Sequence, residues 1–328
     1  MAGPVRSLGN ITGGMSAVTF GASELKVSKI ILGCPLYGDP DWLSQVQNEE
    51  ESIKQVKTAY DAGINTFDTS NSEVVLGKAI KQEILPRDGI TVMTKVFHPV
   101  SLSIDGLVDG KATEYADTHR YANQYSLARE DIFDSIKKCL ERLQLDYIDV
   151  LYCQEYDAST PTHETLYMMQ FKQGESDMWE CQTAVPGNND YNLLYHQDEH
   201  EMMPTLKYLD VSFLPLNSLV HGAMTMPLDQ QLALPSDNLV PGGRKKWHNT
   251  IITRLEEIAL KKNITMTQVA VAWSMSKERV RALIISGPST VQLLDAVHTP
   301  YVGGVDVLLT PADINYLEES YVPQKLRY

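Results

Sequence analysis

Ile64-Asn65-Thr66-Phe67-Asp68 is a short β-favouring run that ends in an acid, and Ser72 to Lys81 follows at once with Val75, Leu76 and Ile80 on one helical stripe. The same strand-then-helix order recurs on both sides. Upstream, Leu25 to Gly33 reads as a strand, and Glu50 to Ala62 as a helix with Ile53, Val56, Ala59 and Tyr60 in register, closed by Gly63. Downstream, Ile90 to Lys95 reads as a strand ending in a base. Arg129 to Gln144 is helical, with Ile132, Ile136, Leu140 and Leu143 on one face, and Asp146 to Gln154 is the next strand. Pro161 to Gln173 and Glu199 to Leu209 read as helices, and Val211 to Pro215 as a strand. Helices over Trp247 to Lys262 and Thr267 to Lys277 precede the strand Ala282 to Ser286, and helices near Val291–Val297 and Pro311–Glu319 close the chain. Short links between strand and helix imply a parallel sheet covered by helices. About seven visible units favour an α/β fold of the (β/α)8 TIM type over an open sheet.

The whole chain, 1–328, reads as one domain. Residues 1–24 are expected to be poorly structured or an N-terminal hairpin, and 101–127 a long loop on the active face. The segment from Gln173 to Asp190 is short, polar and Gly/Pro-marked where a full strand–helix–strand is due. One barrel strand is therefore expected to be degraded or replaced.

Composition narrows the function. The 328 residues are 43% hydrophobic, with 28 basic against 42 acidic side chains and a net charge of −14. A nucleic-acid binder needs basic surface to displace counterions, so that class is excluded, as is docking on anionic lipid. No apolar run reaches the ~18 residues of a membrane span. The N-terminus lacks the charged start and apolar run of a secretory leader, so a cytoplasmic protein is expected. Cys34, Cys139, Cys153 and Cys181 are scattered, with no CxxC pair, and read as reduced thiols. His196 and His200 have the i, i+4 spacing of paired metal ligands, but Gln197 stands where a zinc protease needs Glu; a solvated helix face is expected, with no metal.

Chemistry in such barrels gathers at the C-terminal ends of strands. Asp68 and Lys95 end neighbouring strands, which would let them form one buried ion pair, either as a rim salt bridge or as a pair that tunes a third group.

The chain resembles the aldo-keto reductases, in particular fungal members. Ile64 to Ser70, Ser72 to Ile80, Val92 to Val96, Leu140 to Leu151, Asp190 to Tyr195 with Glu201-Met202, and Leu317 to Gln324 carry the resemblance. It implies an eight-stranded barrel that binds NADPH and moves hydride to the carbonyl of a small molecule. It also implies an acid tyrosine, a lysine paired with an aspartate, and a histidine beside the carbonyl. The aspartate falls on Asp68 and the lysine on Lys95. The tyrosine has no counterpart, because the piece that carries it is missing between Asp68 and Ser72. Tyr37 or His98 would have to stand in. The histidine position is Gln154, whose amide donates a hydrogen bond but does not shuttle a proton. On the cofactor side the resemblance implies Asp68, Asn188, Asn189, Leu216, Asn217, Leu219, Gly222, Ser289 and Gln292. A strand's worth of chain is missing after Thr165. The arginine expected on the 2′-phosphate is Gln292, which removes a charged clamp. The alternative is an impaired member acting as a redox-neutral isomerase or cyclase, or as a binding protein.

Overall fold

A computed structural model describes residues 15, 17–20, 25–34, 37–38, 47–69, 72–96, 129–153, 184–200, 202–208, 212–234, 240, 243–285, 289–299 and 309–324. Strands β1 (Ala17–Thr19) and β2 (Lys26–Ser28) pair antiparallel as a hairpin. The single strand expected over Leu25 to Gly33 is divided at Lys29. β2 belongs to the hairpin, and β3 (Ile30–Gly33) pairs in parallel within the main sheet. The Ser28 hydroxyl donates to the Ile30 carbonyl at 2.6 Å across this break.

The chain then runs α1 (Glu49–Asp61), β4 (Thr66–Asp68), α2 (Glu73–Lys81), β5 (Thr91–Val96), α3 (Arg129–Leu143), β6 (Val150–Cys153), β7 (Ala184–Asp190), α4 (Met202–Tyr208), β8 (Ser212–Leu216), α5 (Leu228–Leu232), α6 (Lys246–Lys262), α7 (Met266–Met275), β9 (Leu283–Ile285), α8 (Thr290–His298) and α9 (Pro311–Glu318). Five strands form a parallel sheet in the order β6-β5-β4-β3-β9, and β7 pairs in parallel with β8. A parallel bridge from Phe213 to Val280, just ahead of β9, aligns the two sheets. The strands thus follow barrel order from β7 round to β6. Residues 154–183, which join β6 to β7, lie outside the described residues, as do 1–14 and 101–127.

Side chains alternate across each strand. Ile31, Met93, Val150, Tyr152, Leu214, Ala282 and Ile284 point inward and pack with Phe20 and Val27 of the hairpin. Leu32, Phe67, Val92, Leu151, Phe213 and Leu283 point outward into the layer under the helices. The stretch Ile64 to Asp68 shows why it is decisive. The Asn65 side chain accepts from Ser28 N (2.7 Å) and donates to the Lys26 carbonyl (3.1 Å), tying the hairpin to β4. Phe67 fills the outer layer, and Asp68 turns inward.

Helices begin where side chains satisfy their orphan N–H groups. Asn48 accepts from Glu51 N, Thr265 from Gln268 N, Ser289 from Gln292 N and Thr310 from Asp313 N. The helix expected over Glu199 to Leu209 is instead a 3₁₀ turn, Gln197–Glu199, followed by α4. Pro204 fits only the first turn of a helix, which sets the later start. β7 lay unread in the polar stretch before Asp190. It carries Pro186, and its register on β8 shifts between Pro186 and Asp190. Proline in a sheet belongs at an edge or an irregularity.

Candidate functional site

β4, β5 and β6 lie side by side, with Lys95 directly opposite Tyr152. Alternation therefore brings Asp68, Lys95 and Tyr152 to the inner face, at the strands' C-terminal ends. Lys95 Nζ donates to Asp68 Oδ2 at 2.6 Å and to the Thr69 carbonyl at 3.2 Å. The Tyr152 hydroxyl donates to the other carboxylate oxygen, Asp68 Oδ1, at 2.6 Å. Nζ of Lys95 also stands 5.0 Å from the centre of the Tyr152 ring, within cation–π range. The Asp68 side chain is 2% exposed and that of Lys95 10%. An ammonium has three N–H donors. Two are engaged here, and the third has no acceptor among the described residues.

Tyr152 was not among the expected site residues. The signal was present: it is two residues beyond Val150 in a strand whose even positions face inward, and it stands opposite Lys95. Its phenol is pushed well above the ordinary tyrosine value, first by burial and then by the Asp68 charge and the hydrogen bond it gives to that carboxylate. That direction is opposite to the one an acid tyrosine needs.

Cys34 donates its backbone N–H to the Asp68 carbonyl at 2.8 Å, but its side chain lies in the outer layer. Burial pushes its thiol far up; Asp68 adds to the rise and Lys95 opposes it. Tyr37 is buried in the same layer, with no hydrogen-bond partner for its hydroxyl among the described residues. Burial raises it too, with Cys34 second. Gln154 and His98 lie outside the described residues.

A second group lines the ends of β7, β8 and β9. Asn188 and Asn189 fall in the irregular part of β7. Leu216 ends β8 half-buried, and its carbonyl accepts from Tyr191 N at 3.3 Å. The chain then makes a tight turn with φ of 53° at Asn217, 49° at Val220, 48° at His221 and 98° at Gly222. Asn217 Oδ1 accepts from His221 N at 3.0 Å and holds that turn. Leu219 and Gly222 are buried within it. The Ser218 hydroxyl is buried with no partner among the described residues. Ser289 caps α8, while Gln292 Nε2 donates to Thr225 Oγ1 at 2.8 Å. That bond joins the turn after β8 to the helix after β9.

The sequence model of the Aldo/keto reductase family matches residues 29–175 and 179–321. The chain belongs to the aldo/keto reductase family. Versiconal hemiacetal acetate reductase of Aspergillus parasiticus is 33% identical over 346 aligned positions, covering 95% of this chain and 98% of its own length. A putative aryl-alcohol dehydrogenase of Schizosaccharomyces pombe is 33% identical, with 92% and 95% covered. An aldo-keto reductase of Alternaria alternata is 33% identical, with 84% of each chain covered. An alignment of 346 positions is longer than this 328-residue member, so the Aspergillus relative carries residues that it lacks.

Several motif residues of this family member have structural work. Asp149 accepts from Val92 N at 2.7 Å and pairs with Arg87 at 2.8 Å. Glu73 accepts from Thr94 Oγ1 at 2.7 Å and from Arg142 Nε at 2.6 Å. His196 does not sit on a solvated helix face. It is buried, stacked on Tyr321 with ring centres 3.6 Å apart, and its ring N–H donates to the Asn192 carbonyl at 3.2 Å. His200 is exposed beyond the 3₁₀ turn. Among the described residues, no group of three His, Cys, Asp or Glu is placed to hold a metal, and no helix is long and apolar enough to cross a membrane.

Proposed function

We propose that this chain is an NADPH-dependent oxidoreductase of the cytoplasm that reduces the carbonyl of a small molecule, in fungal secondary metabolism. One observation carries the reading: a buried carboxylate, Asp68, holds the Lys95 ammonium at 2.6 Å at the strand ends, and among the described residues one N–H of that ammonium has no acceptor. Family membership and the reductase name of the Aspergillus relative agree with it.

The turn after β8 fits a dinucleotide. Its buried Ser218 hydroxyl lacks a partner among the described residues, and Gly222, at φ 98°, takes a backbone conformation that L side chains rarely adopt. Asn217, Leu219 and Gly222 would lie along the pyrophosphate, Leu216 against the nicotinamide, and Asn188 and Asn189 at its carboxamide. Ser289 and Gln292 would meet the adenosine phosphate through neutral groups alone. A reduced nicotinamide bound there supplies hydride to the carbonyl carbon.

Charge then builds on the carbonyl oxygen. A fixed cation in a dry site stabilises that charge better than water does. Lys95 gives one proton from Nζ to this oxygen, and solvent restores the proton to the amine. Asp68 keeps the amine in place, and Gln154 adds an amide donor to the same oxygen.

A redox-neutral reading, with the same rim polarising a carbonyl for isomerisation or cyclisation, is favoured by one observation. The phenol that touches the pair, Tyr152, commits its proton to Asp68 and is pushed away from acidity. Reduction of an aromatic aldehyde, followed by loss of reduced-cofactor absorbance, separates the two. Turnover should fall about 10²–10⁴-fold in Lys95→Ala. Undiminished turnover in that variant overturns the role of Lys95. Absence of turnover in the intact protein with NADPH bound leaves the redox-neutral reading.

A further inference from the structure

The geometry points to Tyr152 as the positioning residue that turns a plain salt bridge into a directed donor; this rests on the proposal that Lys95 faces the substrate carbonyl. A carboxylate and an ammonium left alone in a low-dielectric wall close on each other with as many contacts as they can. In this wall Asp68 Oδ1 is already taken by the Tyr152 hydroxyl at 2.6 Å, so Lys95 holds only Oδ2, at 2.6 Å. The Thr69 carbonyl takes a second N–H at 3.2 Å. The aromatic face of Tyr152, 5.0 Å from Nζ, backs the ammonium on the β6 side. Among the described residues one N–H then has no acceptor, on a side chain that is 10% exposed, while its acid partner is 2% exposed. Tyr152 thus touches both members of the pair and settles which atom of each is free. It gives no proton to substrate itself, because its own proton is committed to Asp68.

Removing the hydroxyl frees Oδ1 to compete for the third N–H of Lys95. Tyr152→Phe should therefore lower kcat by about 10-fold or more while KM for the aldehyde and NADPH binding change less than about 2-fold. A packing defect alone would move the thermal midpoint and KM with it. A second readout needs no turnover. Reductive methylation of Lys95 with formaldehyde and cyanoborohydride, quantified by peptide mass spectrometry, should slow at least about 3-fold in the folded Phe variant, because the amine is held by both carboxylate oxygens. Unchanged labelling overturns the positioning role whether or not the chain reduces carbonyls. Slower labelling with no aldehyde reduction in the intact protein supports the positioning role and overturns the reductase reading instead. Should Tyr152→Phe fail to fold, 3-fluorotyrosine at 152 retains the hydroxyl. Its ¹⁹F resonance should move in Lys95→Met, and a resonance that stays put overturns the proposal.

Discussion

Thr94 and Lys95 are neighbours in β5, yet they serve two ion pairs on opposite faces of the barrel wall. On the outer face, Thr94 and Arg142 each take one oxygen of Glu73, at 2.7 and 2.6 Å, with Glu73 1% exposed. Arg142 also donates to Cys139 Sγ at 3.3 Å. On the inner face, Tyr152 and Lys95 divide Asp68 in the same way. Both acids are buried, and each receives one hydroxyl and one cation. The pairs differ in location. The outer one ties α2 and α3 to β5 beneath the helices, while the inner one lies at the strands' C-terminal ends with one Lys95 donor uncommitted among the described residues. Ion-pair chemistry alone therefore does not distinguish the two; their places in the fold and the hydrogen-bonding capacity left over among the described residues do.

The sharpest way to break this contrast is to unpair each acid in turn. Arg142→Met leaves Glu73 charged in the wall and should cost about 3–5 kcal/mol, read by urea unfolding. Turnover per folded molecule should stay unchanged. Lys95→Met should cost a similar amount of stability and lower turnover about 10²–10⁴-fold as well. Loss of turnover in both variants, corrected for folded fraction, would erase the distinction.

A smaller effect sharpens it without touching charge. A Cβ on Gly77 of α2 would lie 2.3 Å from the Leu143 carbonyl at the end of α3. Gly77→Ala must push the two helices apart and stretch the Glu73–Arg142 contact. Overpacking of this kind costs about 1–3 kcal/mol, and the urea midpoint should fall while the aldehyde KM holds.

The smallest expected effect lies away from both pairs. Burial lowers the His196 pKa, opposed by nearby Glu199 and the bond to Asn192. A histidine whose folded pKa is depressed contributes stability above its unfolded value near 6.5, and that contribution is lost as pH falls below it. Stability should therefore decline as pH falls below about 6.5, by no more than about 1.4 kcal/mol per pH unit for one proton. His196→Phe, which keeps a ring against Tyr321, should flatten that slope; an unchanged slope would assign it to another group.

Much of this architecture could be read from spacing alone. β4, β5, α2 and α3 carry strict alternation or a clean helical stripe, and their ends fall within a residue or two of the expected positions. Asp68 and Lys95 stood out because each closes an apolar run with a charge. The rest was obscured for physical reasons. β7 has Pro186, Gly187 and two asparagines, residues that β-propensity disfavours and that an irregular strand tolerates. Tyr152 looked like one more core aromatic, since only the register of β6 against β5 discloses that it meets Asp68. His196 carried ligand-like spacing because the burial imposed by Tyr321, 125 residues along the chain, leaves no local mark. The Thr225–Gln292 bond joins the turn after β8 to α8, 67 residues along the chain, which sequence cannot bring together.

Fluorescence titration of the intact protein with NADPH tests the reductase reading at its root. Saturable binding at micromolar concentration is expected, held by the turn after β8 and weakened by the missing arginine at Gln292. No binding at millimolar concentration would leave Asp68 and Lys95 without a hydride to serve.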